Sequence, residues 1–265
     1  MLIDIVSVTV YTHADTVSIP NICVFLHRQS IDTAMDVWYT IGADTMSAND
    51  AERRTTMIKG TPELIATRRE EILNACQRLY QTMSFKQITL KEIGEATSFS
   101  RPTIYNYFQT KEEIFLALYE REYDLWNAEL ESLLSSYARL TREELARHLA
   151  GSLEKREQLL KLLAMNNYDM EANSRPELLV SFKRAYGRSM ENVDRILQKF
   201  CPDLSAAQRT GFRLVFFPFM FGIYPYAAVT DKQRSAMKEA GVDFRYLSIY
   251  ELTLACLRRL LGPDA

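Results

Sequence analysis

The stretch SRPTIYNYFQTKEE, residues 100–113, contains two helix starts in quick succession. Ser100 is suited to cap a helix, because a serine side chain at that position accepts a hydrogen bond from a backbone N–H without an intrahelical partner. Pro102 falls in the first turn, where no intrahelical N–H bond is lost. A threonine three residues before a glutamate then signals another start. The stretch therefore predicts a short helix over 101–108, followed directly by a long helix from residue 111.

Two further helices are predicted upstream of this stretch. A capping box begins at Thr89 and precedes a short helix over 90–97. A tight turn at 98–99 joins this helix to the one over 101–108, and a longer helix covers about 64–81. Two short helices joined by a tight turn are typical of a helix-turn-helix motif, whose second helix lies in the DNA major groove.

The side chains of the second short helix are suited to DNA. Arg101 can pair with a guanine edge or a phosphate, and Thr103 can offer its methyl group to a thymine. Tyr107 and Lys111 are suited to phosphates, which position a protein rather than specify a sequence. Tyr105 and Tyr107 cannot both face the same core, so we expect at least one to be exposed. The residues expected to pack between the three helices are Phe85, Ile88, Ile93, Ala96, Phe99, Ile104 and Phe108.

The composition is that of an ordinary globular protein. Of 265 residues, 47% are hydrophobic and 25% are charged, and the net charge is −2. Residues 86–111 contain four basic and two acidic side chains, so the motif itself is positively charged. A local excess of this sign favours contact with nucleic acid, although the chain as a whole does not.

Several classes of protein are disfavoured by what the sequence lacks. The four cysteines and three histidines are scattered, so we expect no metal site, and unpaired cysteines fit a reducing cytosol. No phosphate loop or nucleophile–base pair is present, so we expect neither an enzyme nor a cofactor. The most apolar segment, 214–229, is too short to span a bilayer and contains two prolines. We therefore expect a cytoplasmic protein that does not bind membranes.

Helix starts recur along the rest of the chain. Six sets of residues match the capping-box pattern together with apolar helical periodicity, which predicts an all-α protein. The six sets are 89–92, 110–113, 141–144, 174–177, 205–208 and 230–233.

Residues 64–111 resemble the DNA-binding domain of the TetR family of transcriptional regulators. That family has a phenylalanine before the second helix, a threonine cap, an Ile-Ala pair, a Val-Ser turn and a recognition helix of the form Thr-Leu-Tyr-x-Tyr-Phe-x-x-Lys. The corresponding residues here are Phe85, Thr89, Ile93, Gly94, Phe99, Ser100, Thr103, Ile104, Tyr105, Tyr107, Phe108 and Lys111. Two positions differ, since Ser98 replaces the usual turn glycine and Gly94 the usual alanine. Serine at a turn that requires a positive φ would be strained.

The resemblance implies a homodimer that reads a near-palindromic operator in double-stranded DNA and responds to a small-molecule effector. Motif and resemblance together place ten residues at the DNA. They are Thr89, Lys91, Ser100, Arg101, Pro102, Thr103, Tyr105, Asn106, Tyr107 and Lys111. The helices near 205–229 and 244–261 are then expected to pair with their copies in a four-helix bundle.

The effector itself is not identified by any motif. Pockets for small molecules are mostly apolar with few polar groups, although Met and aromatic residues at helical spacing more often form a core. The residues expected to line an effector pocket are Met165, Asn166, Tyr168, Phe182, Tyr186, Phe216 and Met220.

The predicted architecture is an all-α chain with three parts. An N-terminal three-helix helix-turn-helix domain covers 57–110, and a larger helical effector-binding and dimerisation domain covers 111–265. Residues 1–56 form either a poorly ordered extension or a segment that is not translated, if synthesis starts downstream, for instance at Met57. The function expected is that of a ligand-responsive repressor. The alternatives are an activator of the same family, or a protein-binding regulator that has lost DNA binding.

Overall fold

Eleven helices follow one another in the computed structural model, which describes residues 61–165 and 167–263, apart from the side chains of 167–169. No strand occurs in these residues, so the all-α prediction is confirmed. The segment predicted to be an extension, 1–56, lies outside the described residues. The helices are α1 (Pro62–Thr82), α2 (Leu90–Glu95), α3 (Arg101–Ile104), α4 (Lys111–Ser136), α5 (Arg142–Glu154), α6 (Glu157–Leu163), α7 (Asn167–Ala172), α8 (Pro176–Phe200), α9 (Ala206–Ala227), α10 (Asp231–Glu239) and α11 (Ile249–Leu261).

Capping hydrogen bonds begin most of these helices where the sequence predicts a start. In a complete capping box, the cap hydroxyl accepts from the third backbone N–H, and the side chain three residues on accepts from the N–H of the cap residue. Four of the six predicted boxes begin helices with this cap or its close variant. A further box, which is not among the six predicted, begins α11. The cap residues are Thr89, Thr141, Ser205, Thr230 and, unpredicted, Ser248.

Two predicted boxes differ in the structure. The Thr110 hydroxyl accepts from the Glu113 N–H at 3.2 Å, but the Glu113 carboxylate accepts from the Gln109 N–H instead of returning to Thr110. The box predicted at Ser174 is wrong, because α8 begins after Arg175. The Ser174 hydroxyl donates to the Met170 carbonyl at 2.7 Å, and this bond ties it to the end of α7.

The three N-terminal helices enclose the small core that the sequence predicts. Ile88, Ile93, Ile104 and Phe108 are fully buried, whereas Phe85, Ala96 and Phe99 are partly buried at its edge. The two short helices are shorter than predicted, since α2 ends at Glu95 and α3 ends at Ile104.

The end of α3 is tightened into a turn. The N–H groups of Asn106 and Tyr107 donate to carbonyls three residues earlier, at 3.2 and 2.8 Å. Bonds of this spacing belong to a 3₁₀ turn, which is common at helix ends. The predicted helix over 101–108 is therefore one α-helical turn followed by a tight turn.

The 26-residue helix α4 connects this small unit to the other helices. Near its start, the Phe115 ring meets the rings of Tyr80 and Phe85 edge-on, with centroids 5.1 and 4.8 Å apart. Farther along, the rings of Tyr123 and Trp126 lie fully inside the larger helical bundle. Because α4 contributes side chains to both cores, a displacement of α4 changes the packing in both.

The remaining helices pack around α4. Helix α8 lies along α4, α9 packs on α6 and α11, and α5 packs on α11. A polar contact in this interior joins α4 to α8, where the Asn127 side chain donates to the Ala185 carbonyl at 3.0 Å and accepts from Asn192 at 3.2 Å. Helix α10 buries none of its residues.

Helix α9 contains most of the apolar segment singled out in the sequence. It runs without a break through Pro218 and Pro225, and it buries Phe216, Phe217 and Met220. Among the described residues, no single helix has the length and apolar character needed to cross a membrane. Only α9 and α10 taken together, which meet at a bend of 84°, pass by length and composition.

Candidate nucleic-acid interface

Helix α3 and the tight turn that follows it present one side to the core and the other to solvent. The side chains of Ile104 and Phe108 are completely buried. Arg101, Tyr105 and Asn106 are exposed, as the sequence predicts for groups that meet DNA. Apolar anchors on one side thus hold a polar surface outward on the other, and Tyr105 is the exposed member of the tyrosine pair.

Arg101 and Tyr105 form a pair on the exposed face. The Arg101 guanidinium donates from Nη2 to the Tyr105 hydroxyl at 3.0 Å and lies 5.7 Å from the centre of the ring. Residues four apart on a helix are neighbours, so the pair is local. A guanidinium carries five N–H donors, and this contact orients it while other donors remain for a base edge.

The start of α3 differs in one detail from the prediction. Ser100 has the extended backbone of a cap residue, but its side chain makes no capping bond. Its hydroxyl lies 3.3 Å from the Thr103 hydroxyl, and its carbonyl accepts from the Thr103 N–H at 2.8 Å. Pro102 lies in the first turn, as predicted, and is exposed. The two hydroxyls therefore sit together beside Arg101.

Helix α2 adds a threonine and a lysine on the same small unit. The Thr89 hydroxyl accepts from the Lys91 N–H at 3.1 Å, and the Glu92 carboxylate accepts from the Thr89 N–H at 3.1 Å. The hydrogen bond from the Thr89 side chain lowers the pKa of Glu92. The Lys91 side chain is 66% exposed, and its ammonium lies 3.8 Å from the Glu95 carboxylate. Lys91 is therefore available to a phosphate, whereas the Thr89 hydroxyl is engaged in the cap.

Tyr107 and Lys111 have packing contacts that the sequence did not predict. Only 6% of Tyr107 is exposed. The Lys111 ammonium donates to the Phe85 and Ile88 carbonyls at 2.8 and 3.2 Å and lies 4.1 Å from the centre of the Phe85 ring. These contacts give both residues a role in holding the motif together, and phosphate contact by either residue remains a prediction.

The two departures from the family pattern both lie where α1, α2 and α3 meet. A Cβ atom on Gly94 would come within 3.3 Å of the Arg101 Cα atom, so the glycine permits a close approach of α2 to the start of α3. The hydroxyl of Ser98 donates to the Glu71 carboxylate of α1 at 3.1 Å, and its N–H donates to the same group. The turn is thus tied to α1 by a side chain that glycine lacks.

The residues predicted to line an effector pocket do not form one group. Asn166 and the side chain of Tyr168 lie outside the described residues. Phe182, Phe216 and Met220 are buried and belong to the core of the helical bundle, and Tyr186 packs edge-on against Phe217 with centroids 5.5 Å apart. For these residues the structure shows the packing that Met and aromatic residues usually have, and their contact with an effector remains a prediction.

Met165 lies elsewhere, beside a groove between α1 and α6. Its sulfur accepts from the Tyr80 hydroxyl at 2.8 Å. The groove has a volume of about 440 Å³, and aromatic rings and one cation form much of its wall. The Lys161 ammonium donates to the Tyr80 carbonyl and lies 4.2 Å from the centre of the Tyr80 ring, while burial lowers its pKa. The lining residues are Tyr80, Gln81, Thr82, Met83, Ser84, Phe85, Lys161, Ala164, Met165 and Tyr224.

Two residues that contact the motif are not among the predicted site residues. Glu113 is 1% exposed, and its carboxylate accepts from Arg175, which lies 62 residues away between α7 and α8. The sequence places Arg175 within the predicted capping box at 174–177, and no local pattern relates it to α3. Only the packing of α7 and α8 on α4 reveals the pair.

The described residues contain no cluster of metal ligands, and the Cys76 thiol is buried. Within the described residues, no three His, Cys, Asp or Glu side chains lie close enough together to hold an ion. Burial raises the pKa of the Cys76 thiol to about 12, so this thiol stays protonated and is a poor nucleophile.

Two sequence families match the chain. Residues 72–118 match the bacterial regulatory proteins of the tetR family, and residues 120–245 match the tetracyclin repressor-like C-terminal domain. The two matches together cover well over half of the chain. A search of curated proteins found no match.

Solved structures of the same architecture are similar to this chain at low sequence identity. A TetR-family transcriptional regulator from Mesorhizobium loti is 17% identical, with 74% of this chain and 96% of that chain covered and a TM-score of 0.52. A second, from Marinobacter aquaeolei, is 15% identical, with 72% and 98% covered and a TM-score of 0.50. The fatty acid degradation regulator FadR from Bacillus halodurans is 18% identical, with 77% and 97% covered and a TM-score of 0.48. For the two structures with TM-scores of 0.50 and 0.52, the likeness at these identities concerns the fold.

Proposed function

The chain belongs to the TetR family of transcriptional regulators and carries its helix-turn-helix DNA-binding domain, and we propose that it is a ligand-responsive repressor that binds a near-palindromic operator as a homodimer. The observation that carries this proposal is the exposed face of α3, with Arg101, Tyr105 and Asn106 directed to solvent. A repressor of this kind meets its DNA in the cytoplasm. Its proposed role is to bind DNA and an effector, with no catalytic step.

The exposed face is suited to direct reading of bases. Arginine pairs with the O6 and N7 atoms of guanine, and asparagine pairs with adenine, so Arg101 and Asn106 are the residues proposed to specify sequence. Thr103, half-buried, can offer its methyl group to a thymine. Ser100 and Lys91 are proposed to contact phosphates, which fix the register of the motif.

A homodimer is supported by the outward face of α9. From Gly211 onward, its exposed residues recur every three or four positions and include no charged side chain, so they form one apolar stripe. The stripe consists of Gly211, Leu214, Val215, Pro218, Phe221, Gly222, Pro225 and Tyr226. Leu214 is 47% exposed and Val215 is 51% exposed.

The charged residues of α9 lie on its inner side. The guanidinium groups of Arg209 and Arg213 reach Asp194 of α8, with Nε to Oδ1 distances of 3.3 and 3.8 Å. A large apolar patch on a soluble chain marks an interaction surface. We propose that a second copy covers it, since a two-fold pair of chains matches a palindromic operator.

The effector is proposed to bind beside Met165, where the C-terminal helices meet the DNA-binding domain. The groove beside Met165 touches both α1 of the DNA-binding domain and α6 of the helical bundle. A ligand shifts an equilibrium between two states only if it binds them with different affinities. A ligand that contacts both α1 and α6 binds two states with different affinities when the separation of these helices differs between the states. A thermal-shift screen of small apolar and cationic compounds tests this, because a ligand that binds only the folded protein raises its melting temperature.

The experiment that tests the DNA-binding proposal starts from a random double-stranded library. The wild-type protein should enrich a near-palindromic sequence, and Arg101→Ala should bind that sequence more weakly by about 1–3 kcal/mol, or roughly 5- to 150-fold. Arg147→Ala, which removes an exposed arginine on α5, is the matched control and should bind like the wild type. Failure to enrich any sequence, or Arg101→Ala binding with wild-type affinity, would contradict the proposal.

The direction of regulation needs a separate measurement. A reporter promoter carrying the selected operator should be transcribed less when the protein is present. An increase in transcription would instead identify an activator. Weak binding that is independent of sequence and vanishes with added salt would favour a regulator that has lost operator recognition.

A further inference from the structure

Arg175 links the helical bundle to the far end of α3. It precedes α8, and its backbone is extended. Its guanidinium donates from Nε to one oxygen of the Glu113 carboxylate at 2.7 Å and from Nη2 to the other at 3.0 Å. The same Nη2 also donates to the Tyr107 carbonyl at 3.0 Å. A single side chain from outside the motif thus holds both the first turn of α4 and the turn that ends α3.

The carboxylate of Glu113 collects donors from both sides of this junction. It accepts from the Gln109 N–H at 2.7 Å and from the Arg175 N–H at 3.2 Å, in addition to the guanidinium. A second bond joins the same segments, since the Thr110 hydroxyl donates to the Asn173 carbonyl at 2.9 Å. Residues 107–110, between α3 and α4, are therefore bound to residues 173–175, between α7 and α8.

Burial makes this contact strong and specific. Glu113 is 1% exposed and the side chain of Arg175 is 25% exposed. A buried carboxylate requires donors, and a bidentate arginine supplies two in a fixed geometry. The hydrogen bond to Glu113 raises the pKa of Arg175. The only other acid that forms an ion pair with Arg175 among the described residues is Glu177, whose carboxylate lies 3.8 Å from Nη1.

The position of the contact determines what it can do. Tyr107 follows the exposed residues Tyr105 and Asn106 directly, and its carbonyl ends the tight turn that completes α3. A hydrogen bond at this carbonyl restrains the orientation of α3 against α4. The exposed side chains reach base edges only in the right orientation, whereas contacts to phosphates carry no sequence information and are available on any duplex.

We propose that Arg175, through its bonds to the Tyr107 carbonyl and the Glu113 carboxylate, is a positioning residue that holds α3 in the orientation that reads sequence. Arg175 belongs to the segment between α7 and α8, so a displacement of that segment releases α3. This inference rests on the proposed DNA-binding function and deepens it. Arg175 is then the residue through which a change in the helical bundle alters the orientation of α3.

The test compares Arg175→Ala with a matched control on the same part of the chain. Arg188→Ala removes an arginine of α8 that pairs with Asp124 of α4, but that pair is about half exposed and lies away from α3. Affinities are measured by fluorescence anisotropy at one salt concentration, on the selected operator and on a scrambled duplex. Arg175→Ala should lose at least about tenfold in operator affinity and change little on the scrambled duplex. Arg188→Ala should match the wild type on both.

A conservative variant separates positioning from folding. Arg175→Lys keeps a cation beside Glu113 but lacks the planar fork, so it should recover part of the operator affinity. A folded Arg175→Ala that binds the operator like the wild type would overturn the proposal. So would a parallel loss on both duplexes that Arg175→Lys does not relieve, because that pattern indicates a merely structural role.

Amide hydrogen exchange tests the inference without an operator. Arg175→Ala should speed exchange at residues 107–110 relative to the rest of the protein, and Arg188→Ala should not. If the wild type enriches no sequence, the proposed function fails, yet this exchange pattern still decides whether Arg175 holds the end of α3. Unchanged exchange at 107–110 would overturn the inference on its own.

Discussion

Lys91 and Lys111 carry the same charge in opposite surroundings. The Lys91 side chain is two-thirds exposed, and so is that of Glu95, the acid with which it forms an ion pair. The Lys111 ammonium instead donates to two backbone carbonyls, those of Phe85 and Ile88. An exposed lysine is available to a phosphate, whereas the second lysine satisfies polar groups of the loop before α2. The two residues should therefore contribute to different properties of the protein.

This difference predicts opposite results for two matched substitutions. Lys91→Met should reduce the slope of log affinity against log salt by about 1 and leave the free energy of unfolding within about 0.5 kcal/mol of the wild type. Lys111→Met should lower the free energy of unfolding by about 1.5–3 kcal/mol, because hydrogen bonds from a charged donor are lost. Salt titrations and urea unfolding measure the two quantities. A reduced salt slope with unchanged stability for Lys111→Met would show instead that Lys111 contacts a phosphate.

At the scale of elements, a carboxylate on α5 joins that helix to α11. The Glu143 side chain accepts from Nε and Nη2 of Arg258 at 2.8 and 2.6 Å, and from Nε of Arg147 at 2.8 Å. Hydrogen bonds from Arg258 and then Arg147 lower the pKa of Glu143 to about 2. Because the folded pKa lies below the ordinary value of 4.5, the stabilisation is present above about pH 4.5 and is lost as the pH falls toward 2.

The pKa of Glu143 predicts how a variant depends on pH. Glu143→Gln should melt at a lower temperature than the wild type near pH 6, and the difference should shrink toward zero as the pH approaches 2. Arg258→Ala should show the same pattern, since it removes the largest cause of the lowered pKa. Differential scanning calorimetry at several pH values measures the effect. A difference in melting temperature that stays constant over this range would show that the ion pair does not act through the charge of Glu143.

Helix starts were predictable at this scale because their chemistry is local. A cap hydroxyl and the carboxylate or amide three residues later contact each other whenever the chain turns into a helix. The sets that begin at Thr89, Thr141, Ser205 and Thr230 therefore needed no knowledge of the rest of the molecule. The box predicted at 174–177 does not form because the Ser174 hydroxyl bonds to Met170 and the Arg175 side chain bonds to Glu113. These bonds compete with the cap.

At the scale of the whole molecule, the apolar stripe on α9 is a continuous exposed surface on the part of the chain that the structure describes. A substitution that places a charge there should prevent association, since burying an unpaired charge is strongly unfavourable. We expect the wild type to have twice the mass of the chain in light scattering coupled to size-exclusion chromatography. Val215→Glu should have the mass of one chain and lose most of its operator affinity, because only one half-site is then held.

A control for this prediction is available on another helix. Val180 of α8 is 41% exposed and lies outside the stripe, so Val180→Glu should keep the mass and affinity of the wild type. A single-chain mass for the wild type, or an unchanged mass for Val215→Glu, would refute the assignment of the α9 stripe to the dimer.

The all-α architecture, the helix-turn-helix motif and the exposed face of α3 follow from the sequence by itself. Each depends on residues a few positions apart, through capping bonds and the helical spacing of apolar residues such as Ile104 and Phe108. Short-range chemistry of this kind acts whatever the remainder of the chain does, and the family pattern lies entirely within it.

Only the tertiary structure decided which polar groups of the motif are engaged. Tyr107 and Lys111 match the family pattern, but their burial and hydrogen bonds depend on the loop before α2 and on the core around Phe108. The contact between Glu113 and Arg175 joins residues 62 positions apart, and no local pattern relates them. Packing of α7 and α8 against α4 places the arginine beside the buried carboxylate, and burial there makes the pairing necessary. The sequence therefore determined the exposed surface that we propose reads DNA, and the tertiary structure determined which contacts hold it in place.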